Sequence, residues 1–172
     1  MTKATNSKGF ILKKKSLLNK DIFFTIFTEE IGKVSAIAKG IKKITSRRAP
    51  HIQPGNLVEI ELSHRGDTMY LQGSRLISAF SQIRESAEKT QFLFTYLFIL
   101  DRILPEHQQE FPMYQNTQSF LFDMARNTDF TKENFTEHLN NLLSTAGYIH
   151  GYKSLSELMR TVEEVINEKV PV

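Results

Sequence analysis

The sequence predicts an α+β protein, with a small five-stranded β-barrel in residues 1–80 and an all-α domain in residues 81–172. Short apolar–polar alternations separated by turn signals fill the first half, whereas apolar residues recur at helical spacing in the second. The charges divide at the same place. Residues 1–80 hold 14 Lys and Arg against 6 Asp and Glu, a net charge of +8, and residues 81–172 hold 8 against 13, a net charge of −5. This asymmetry indicates two parts with different partners.

The five strands follow from alternation bounded by Gly, Pro and Asn. The segment IFFTIFT is apolar on both faces, so it is either a central strand or one with exposed aromatic side chains. Gly73 indicates a bulge or bend in the fifth strand. The pattern suits a five-stranded oligonucleotide-binding (OB) barrel and equally an SH3-like barrel. The predicted strands are 9–15, 22–28, 33–39, 57–63 and 68–76.

The helices are predicted from apolar residues at three- and four-residue spacing and from their end signals. Pro105 ends the first helix, and Gly147 is expected at the end of the third. Ser154 and Glu157 have the spacing of a capping box, in which both side chains satisfy free backbone N–H groups. The predicted helices are 81–104, 112–126, a third from near Thr131, and a fourth from Ser154 to about Lys169.

The composition restricts the function classes. No cysteine is present, which excludes a disulfide framework, a cysteine zinc site and a cysteine nucleophile, and fits a reducing cytoplasm. The N-terminus lacks the apolar stretch of a signal peptide. The most apolar run, Phe92–Leu104, is shorter than the roughly 20 residues that span a bilayer, so we interpret it as a buried helix. A cytoplasmic location is therefore expected.

No motif supports an enzyme. The five histidines form no pair at i, i+4 spacing, and neither a phosphate-binding glycine loop nor a serine nucleophile motif occurs. Glu59 and Glu61 share one face of a strand, about 7 Å apart by strand rise, a spacing that permits a shared metal or proton. The ordinary alternative is the solvated face of an amphipathic strand. We expect no catalytic residue, no metal and no cofactor.

The basic residues carry the main functional hypothesis, which is binding of a polyanion. Lys33–Arg48 holds six basic residues, and no acidic residue occurs between Glu30 and Glu59. A barrel is able to gather basic residues from several strands into a groove for a phosphate backbone, although a solvated lysine-rich loop is the alternative. The predicted nucleic-acid-binding cations are Lys13, Lys14, Lys15, Lys39, Lys42, Lys43, Arg47, Arg48, Arg65 and Arg75.

Single-strand binders also need aromatic rings for base stacking. Tyr70 is predicted to serve this purpose, because Met69 and Leu71 take the opposite strand face. Phe23 and Phe27 are further candidates, but a core position is favoured for both. In the second half, Arg102 and Arg126 are candidates for binding a partner peptide beside the apolar Phe92–Leu104 helix, with plain helical core as the favoured alternative.

An ordered set of short motifs over about 50 residues resembles the N-terminal region of the RecO recombination-mediator family. The set comprises an acidic residue before the second strand, T-x-E-x-G-K before the third, a basic loop after it that ends in Ser-Arg, and Gln-Pro before the fourth. Here these are Asp21, Thr28 to Lys33, Ala38 to Lys43, Ser46-Arg47 and Gln53-Pro54.

The resemblance implies an OB fold followed by a helical domain, in a non-enzymatic, nucleoid-associated bacterial protein. Such a protein binds single- and double-stranded DNA, anneals strands, and works with RecR to load RecA onto DNA covered by single-stranded-DNA-binding protein (SSB), whose acidic tail docks on the helical domain. Many members carry a four-cysteine zinc module after a Gly-Tyr pair. Here Gly147-Tyr148 leads through His150-Gly151-Tyr152 into the last helix, so zinc binding is not expected.

Two other function classes stay open at this point. One is an adaptor, in which the basic loop binds acidic partner peptides such as the SSB tail and DNA is touched only weakly. The other is a nuclease, for which the sequence lacks a convincing carboxylate or histidine cluster.

Overall fold

The computed structural model describes residues 4–40 and 47–171. Five strands form a closed barrel in the order β1-β2-β3-β5-β4, and five helices follow. The α+β class and the OB-type barrel predicted from the sequence are confirmed. The elements are β1 Ala4–Ser16, β2 Ile22–Thr28, β3 Gly32–Ala38, β4 Leu57–Arg65, β5 Thr68–Ser78, α1 Ser81–Arg84, α2 Ala87–Ile103, α3 Phe111–Arg126, α4 Lys132–Thr145 and α5 Leu155–Ile166.

The first strand is longer than its alternation predicts, because it changes partner along its length. Its first part, Ala4–Phe10, pairs antiparallel with β4, and its second part, from Gly9 onward, pairs antiparallel with β2. Gly9 lies where the two ladders overlap, and a Cβ there would lie 2.5 Å from the Phe27 carbonyl oxygen. Only glycine fits this close approach, which lets one strand close the barrel.

One face of each strand fills the barrel. Phe24 and Ile26 of β2, Val34 of β3, Ile60 of β4 and Leu71 of β5 all belong to one buried cluster. The predicted irregularity in β5 is confirmed, since the β4–β5 register shifts between Glu61 and Leu62, opposite Gly73.

The chain forms two compact units, Met1–Ala79 with Pro105–Gln109, and Phe80–Leu104 with Glu110–Val172. We call Pro105–Gln109 the strap. Its His107 N–H donates to the Lys33 carbonyl oxygen at 2.9 Å, and Glu106 pairs with the buried Lys33 ammonium at 3.2 Å. The sequence predicts only a helix break at Pro105, whereas the structure makes this stretch part of the barrel unit.

In the helical unit, the predicted first helix is divided in two, because Ser86 caps a new helix by accepting from Lys89 N–H. The Lys89 ammonium, itself buried, donates to the carbonyl oxygens of Met124 and Asn127 at the end of α3. This arrangement satisfies free carbonyls at a helix C-terminus, where a positive charge is favourable.

Aromatic stacking fills the helical core. The Tyr96 and Phe120 rings stack with centroids 4.0 Å apart, and Phe92 stacks on Phe135 at 4.6 Å. Burial raises the pKa of the Tyr96 phenol, so this group stays neutral. Tyr96, fully buried in this core, agrees with the interpretation of the apolar run as a buried helix. Within the described part of the chain, no helix combines the length and the apolar character needed to cross a membrane.

The helix ends show which signals can be read from sequence. The Ser154–Glu157 capping box is confirmed, and α4 begins with a second box formed by Thr131 and Asn134. The last helix ends at Ile166 and not near Lys169, because Asn167 takes a left-handed conformation with φ 54°. Asparagine tolerates this conformation better than most residues, which explains the earlier stop.

The close packing of the strap on Gly32 predicts a large loss of stability for Gly32→Ala. Gly32 has φ +75°, and a Cβ there would lie 1.9 Å from the Gln108 carbonyl oxygen. We expect the free energy of unfolding to fall by at least about 2–3 kcal/mol, from left-handed strain plus a backbone clash. Urea unfolding followed by circular dichroism measures it.

Gly66→Ala is the matched control, since Gly66 has φ +60° but no atom within 4 Å of its Cβ position. It should cost only the conformational strain, about 1 kcal/mol. Equal losses for the two variants would contradict the packing of the strap.

Candidate nucleic-acid interface

A row of register partners crosses the outer face of the barrel. Lys15 of β1 pairs with Phe23 of β2, Phe23 with Ile37 of β3, and Ile37 with Tyr70 of β5. Directly paired residues point to the same face of a sheet. Because the neighbours Phe24, Ala36, Ala38, Met69 and Leu71 fill the barrel, these four residues face outward. We call Lys15, Phe23, Ile37 and Tyr70 the outer row.

The outer row is partly open to solvent. Lys15 is exposed, and Phe23, Ile37 and Tyr70 are half-buried. At a spacing of about 4.8 Å between neighbouring strands, the row spans roughly 14 Å. It therefore presents two aromatic rings separated by an aliphatic side chain, with an ammonium group at one end.

Two further cations lie at the Tyr70 end. The Lys39 ammonium lies 4.7 Å from the centroid of the Tyr70 ring, and the Arg65 guanidinium carbon 5.6 Å from it. Lys39 follows β3 two residues after Ile37, and Arg65 ends β4 two residues after Ser63, the partner of Tyr70. Strand periodicity thus brings both side chains to the face of Tyr70. Cations near an aromatic ring, all partly open to water, are the groups that hold a phosphate and a base.

The structure places the other predicted cations differently. Lys13, Lys14 and Arg47 are exposed, and the Lys14 ammonium donates to Gln53 Oε1 at 2.6 Å. Arg48 is half-buried and donates to two backbone carbonyls. Lys42 and Lys43 lie outside the described residues.

Arg75 does not join the outer row. It lies opposite Glu59 on the β4–β5 ladder, and its Nε and Nη2 both donate to Glu59 Oε2, at 2.8 and 2.6 Å. Its charge is therefore largely offset. Because Glu59 accepts both of these hydrogen bonds, its carboxylate is engaged by arginine and not by a metal or proton shared with Glu61. Within residues 4–40 and 47–171, no three His, Asp or Glu side chains gather closely enough to hold a metal ion.

The two arginines of the helical unit do not share a pocket. Arg126 ends α3, beside the first turn of α2, because Lys89 bonds the carbonyls there. Arg102 lies 13 residues further along α2, about 20 Å away by helical rise. Arg102 contacts Asp101 at 2.7 Å and Glu168 at 3.2 Å, whereas Arg126 lies over the Phe122 ring at 5.3 Å. The two arginines therefore lie near opposite ends of α2, and their binding of a partner peptide stays a prediction.

Phe23 and Ile37 are the residues that sequence analysis undervalued. Phe27 is fully buried, as expected, but Phe23 is a half-buried member of the outer row. The alternation of Ile22, Phe24 and Ile26 into the core was the available signal, since it turns Phe23 outward.

The barrel order and the helical unit define an OB-fold protein of the α+β class. Residues 1–80 match the family model described as recombination protein O N terminal. This part of the chain therefore resembles the N-terminal region of the RecO family, as its ordered motifs predict.

Curated relatives agree with this resemblance. The chain is similar to the DNA repair protein RecO of Syntrophus aciditrophicus, with 28% identity over 70% of this chain and 48% of the relative. It is also similar to the DNA repair protein RecO of an Exiguobacterium species, with 30% identity over 66% of this chain and 45% of the relative. The corresponding protein of Dehalococcoides mccartyi has 22% identity over 96% of this chain and 65% of the relative. The chain spans about half the length of the first two relatives. A solved TiaS–tRNA–ATP complex matches 44% of this chain and 18% of its own chain, at 21% identity and a TM-score of 0.36.

The position of Phe23 on the outer row predicts that its truncation is tolerated better than that of Phe27. Phe27→Ala should lower the free energy of unfolding by about 3–5 kcal/mol, because it opens a cavity at a fully buried site. Phe23→Ala should cost about 1–2 kcal/mol, since less apolar area leaves water contact. Urea unfolding of both variants tests this, and equal losses would remove Phe23 from the outer row.

Proposed function

We propose that this chain is a non-enzymatic DNA-binding protein of recombinational repair, and that it holds a DNA strand along the outer row. The observation that carries the proposal is the cross-strand line of Lys15, Phe23, Ile37 and Tyr70, with Lys39 and Arg65 at the Tyr70 ring. Phosphates would meet the cations, and bases would stack on the rings. The RecO relatives, which are named DNA repair proteins, support the pathway.

The dimensions of the outer row suit a short stretch of one strand. Its span of roughly 14 Å is about four times the 3.4 Å axial rise per nucleotide of a B-form strand. The side chains along the row require no particular base, because every base has a stacking face. Binding that depends on charge and stacking accepts any sequence, which recombinational repair requires.

Strand annealing follows from charge neutralisation. Two phosphate backbones repel each other, and a cationic surface that releases counterions from each strand lowers the cost of bringing them together. No bond is made or broken, so no catalytic side chain is needed. Duplex binding, RecA loading and the pairing with RecR are further parts of this proposal, supported only by the resemblance of residues 1–80 to the RecO family.

The alternative is an adaptor whose main ligand is an acidic peptide such as the SSB tail. Arg126 favours it, since it is exposed and lies over the Phe122 ring, a pairing suited to a carboxylate next to an apolar side chain. At Arg102 an acidic peptide would have to compete with Asp101 and Glu168.

A salt titration tests DNA binding directly. Anisotropy of a labelled oligo-dT at 50–200 mM NaCl should give a linear decrease of log affinity with log salt concentration. Replacing Lys39 and Arg65 together by Ala should reduce the slope by about 1.4, since each phosphate neutralised on a single strand contributes roughly 0.7. Absence of binding at 50 mM NaCl, together with binding of an acidic peptide, would favour the adaptor.

Single substitutions of Arg65 and Arg75 separate local contacts from net charge. Both side chains belong to the β4–β5 hairpin, and each change to Ala removes one positive charge. Arg65→Ala should weaken oligo-dT binding about fivefold, the loss of roughly one exposed cation–phosphate pair. Arg75→Ala should change it less than twofold, because Glu59 already offsets that charge. Equal effects would show that only the total charge matters.

A further inference from the structure

Asp21 fixes the backbone next to Lys39 at the Tyr70 end of the outer row. It is buried, with 7% of its surface exposed, at the start of β2. Its Oδ1 accepts a hydrogen bond from the Gly40 N–H at 2.7 Å, and Gly40 has φ 61°. A charged acceptor forms a strong bond to a backbone N–H, so the turn after Lys39 is held on the barrel.

Arg48 holds the same backbone from the other side. Its Nη2 donates to the Lys39 carbonyl oxygen at 3.3 Å, and its Nη1 donates to the Leu71 carbonyl oxygen at 3.4 Å. Leu71 follows Tyr70 directly. One guanidinium therefore connects the residue whose ammonium lies at the ring to the strand segment that carries the ring. The planar fork of arginine makes two such bonds at once, which a lysine cannot reproduce.

These contacts give Lys39 an ordered starting point. A lysine side chain loses considerable rotamer freedom when its ammonium is confined, here to 4.7 Å from a ring centroid. With the carbonyl of Lys39 and the following N–H both bonded, the backbone contributes little further disorder. A binding site whose groups are already in place spends less free energy on ordering them.

We infer that Asp21 and Arg48 are positioning residues that hold Lys39 against the Tyr70 ring, and that they act on DNA only through this pair. The inference rests on the proposed function. It changes the role predicted for Arg48, which was expected to bind phosphate directly. It also assigns a role to Asp21, a negative charge on a basic face that charge alone would make unfavourable for DNA binding.

The Asp21 variants give opposite expectations for positioning and for charge. Asp21→Asn and Asp21→Ala remove the same negative charge, but asparagine keeps an oxygen that accepts from the Gly40 N–H. If only charge acts, both variants bind oligo-dT more tightly than the wild type and equally well. If Asp21 positions Lys39, Asp21→Ala binds about fivefold more weakly than Asp21→Asn, because a misplaced Lys39 loses roughly one exposed cation–phosphate pair.

Arg48→Lys tests the second contact to the Lys39 backbone. It keeps the positive charge but loses the planar guanidinium that bonds two carbonyl oxygens at once. We expect about fivefold weaker oligo-dT binding, the same loss as for Asp21→Ala. A direct phosphate contact would instead be largely retained by lysine. Arg160→Lys, on an exposed helical position outside the interface, is the matched control and should leave the affinity unchanged.

A measurement without DNA separates this inference from the proposed function. The terminal methylene protons of Lys39 should resonate upfield in the NMR spectrum, because the ammonium group that they adjoin lies 4.7 Å from the Tyr70 ring centroid. The upfield shift should persist in Asp21→Asn and be reduced in Asp21→Ala and Arg48→Lys. Circular dichroism and urea unfolding confirm that each variant is folded, and if Asp21→Ala is not, Arg48→Lys against Arg160→Lys decides.

The outcomes are distinct. A wild type that fails to bind oligo-dT overturns the proposed function and, with it, the role of both residues in DNA binding. A wild type that binds, with Asp21→Ala equal to Asp21→Asn and Arg48→Lys equal to the wild type in affinity, overturns the positioning role alone. An unchanged Lys39 shift in the folded variants overturns it as well.

Discussion

The closure of the barrel between β3 and β5 is the constraint on which the outer row depends. The β2–β3 and β4–β5 hairpins are held by long antiparallel ladders, but β3 and β5 meet through one parallel pair, Ile37 with Tyr70. This pair sets the register of one hairpin against the other. A slip of one residue would turn Tyr70 into the core and bring Met69 or Leu71 out, so the burial of those two side chains fixes the ring on the outside.

Polar contacts around the β3–β5 closure stabilise the same register. Hydrophobic burial fixes the register from inside the barrel, while Arg48 joins the carbonyls of Lys39 and Leu71 across the two strands on the outside. The Asp21 carboxylate, at the start of the neighbouring β2, bonds the turn that follows Lys39. Parallel strands joined by few ladder bonds gain from such side-chain bridges, because unpaired backbone groups near an apolar core are costly.

Local patterns predicted the elements well, and non-local contacts account for what was missed. Alternation identified β2 and the inward set of each strand, and capping chemistry located Ser154. The N-terminal part of β1 was not predicted as a strand, because its side chains show little alternation although its backbone pairs with β4. The packing of the strap on the barrel was not predicted, because its partner, Lys33, lies more than 70 residues earlier in the chain. The pairing of Arg75 with Glu59 is visible only once the β4–β5 register is known. The two hydrogen bonds of Arg48 are visible only once the barrel is closed.

The positive net charge of the first half is distributed unevenly between the two ends of the barrel. At one end, Lys33 is paired with Glu106 of the strap and Arg75 with Glu59. The other end contains the end of β1 with its three consecutive lysines, the end of β3 with Lys39, and the end of β4 with Arg65. Of the two acidic residues there, Asp21 is buried on the Gly40 N–H, and Asp67 is exposed in the β4–β5 turn. Positive charge is thus offset by carboxylates at the Lys33 end, whereas Lys15, Lys39 and Arg65 lie at the outer row, as the proposed binding of a phosphate backbone requires.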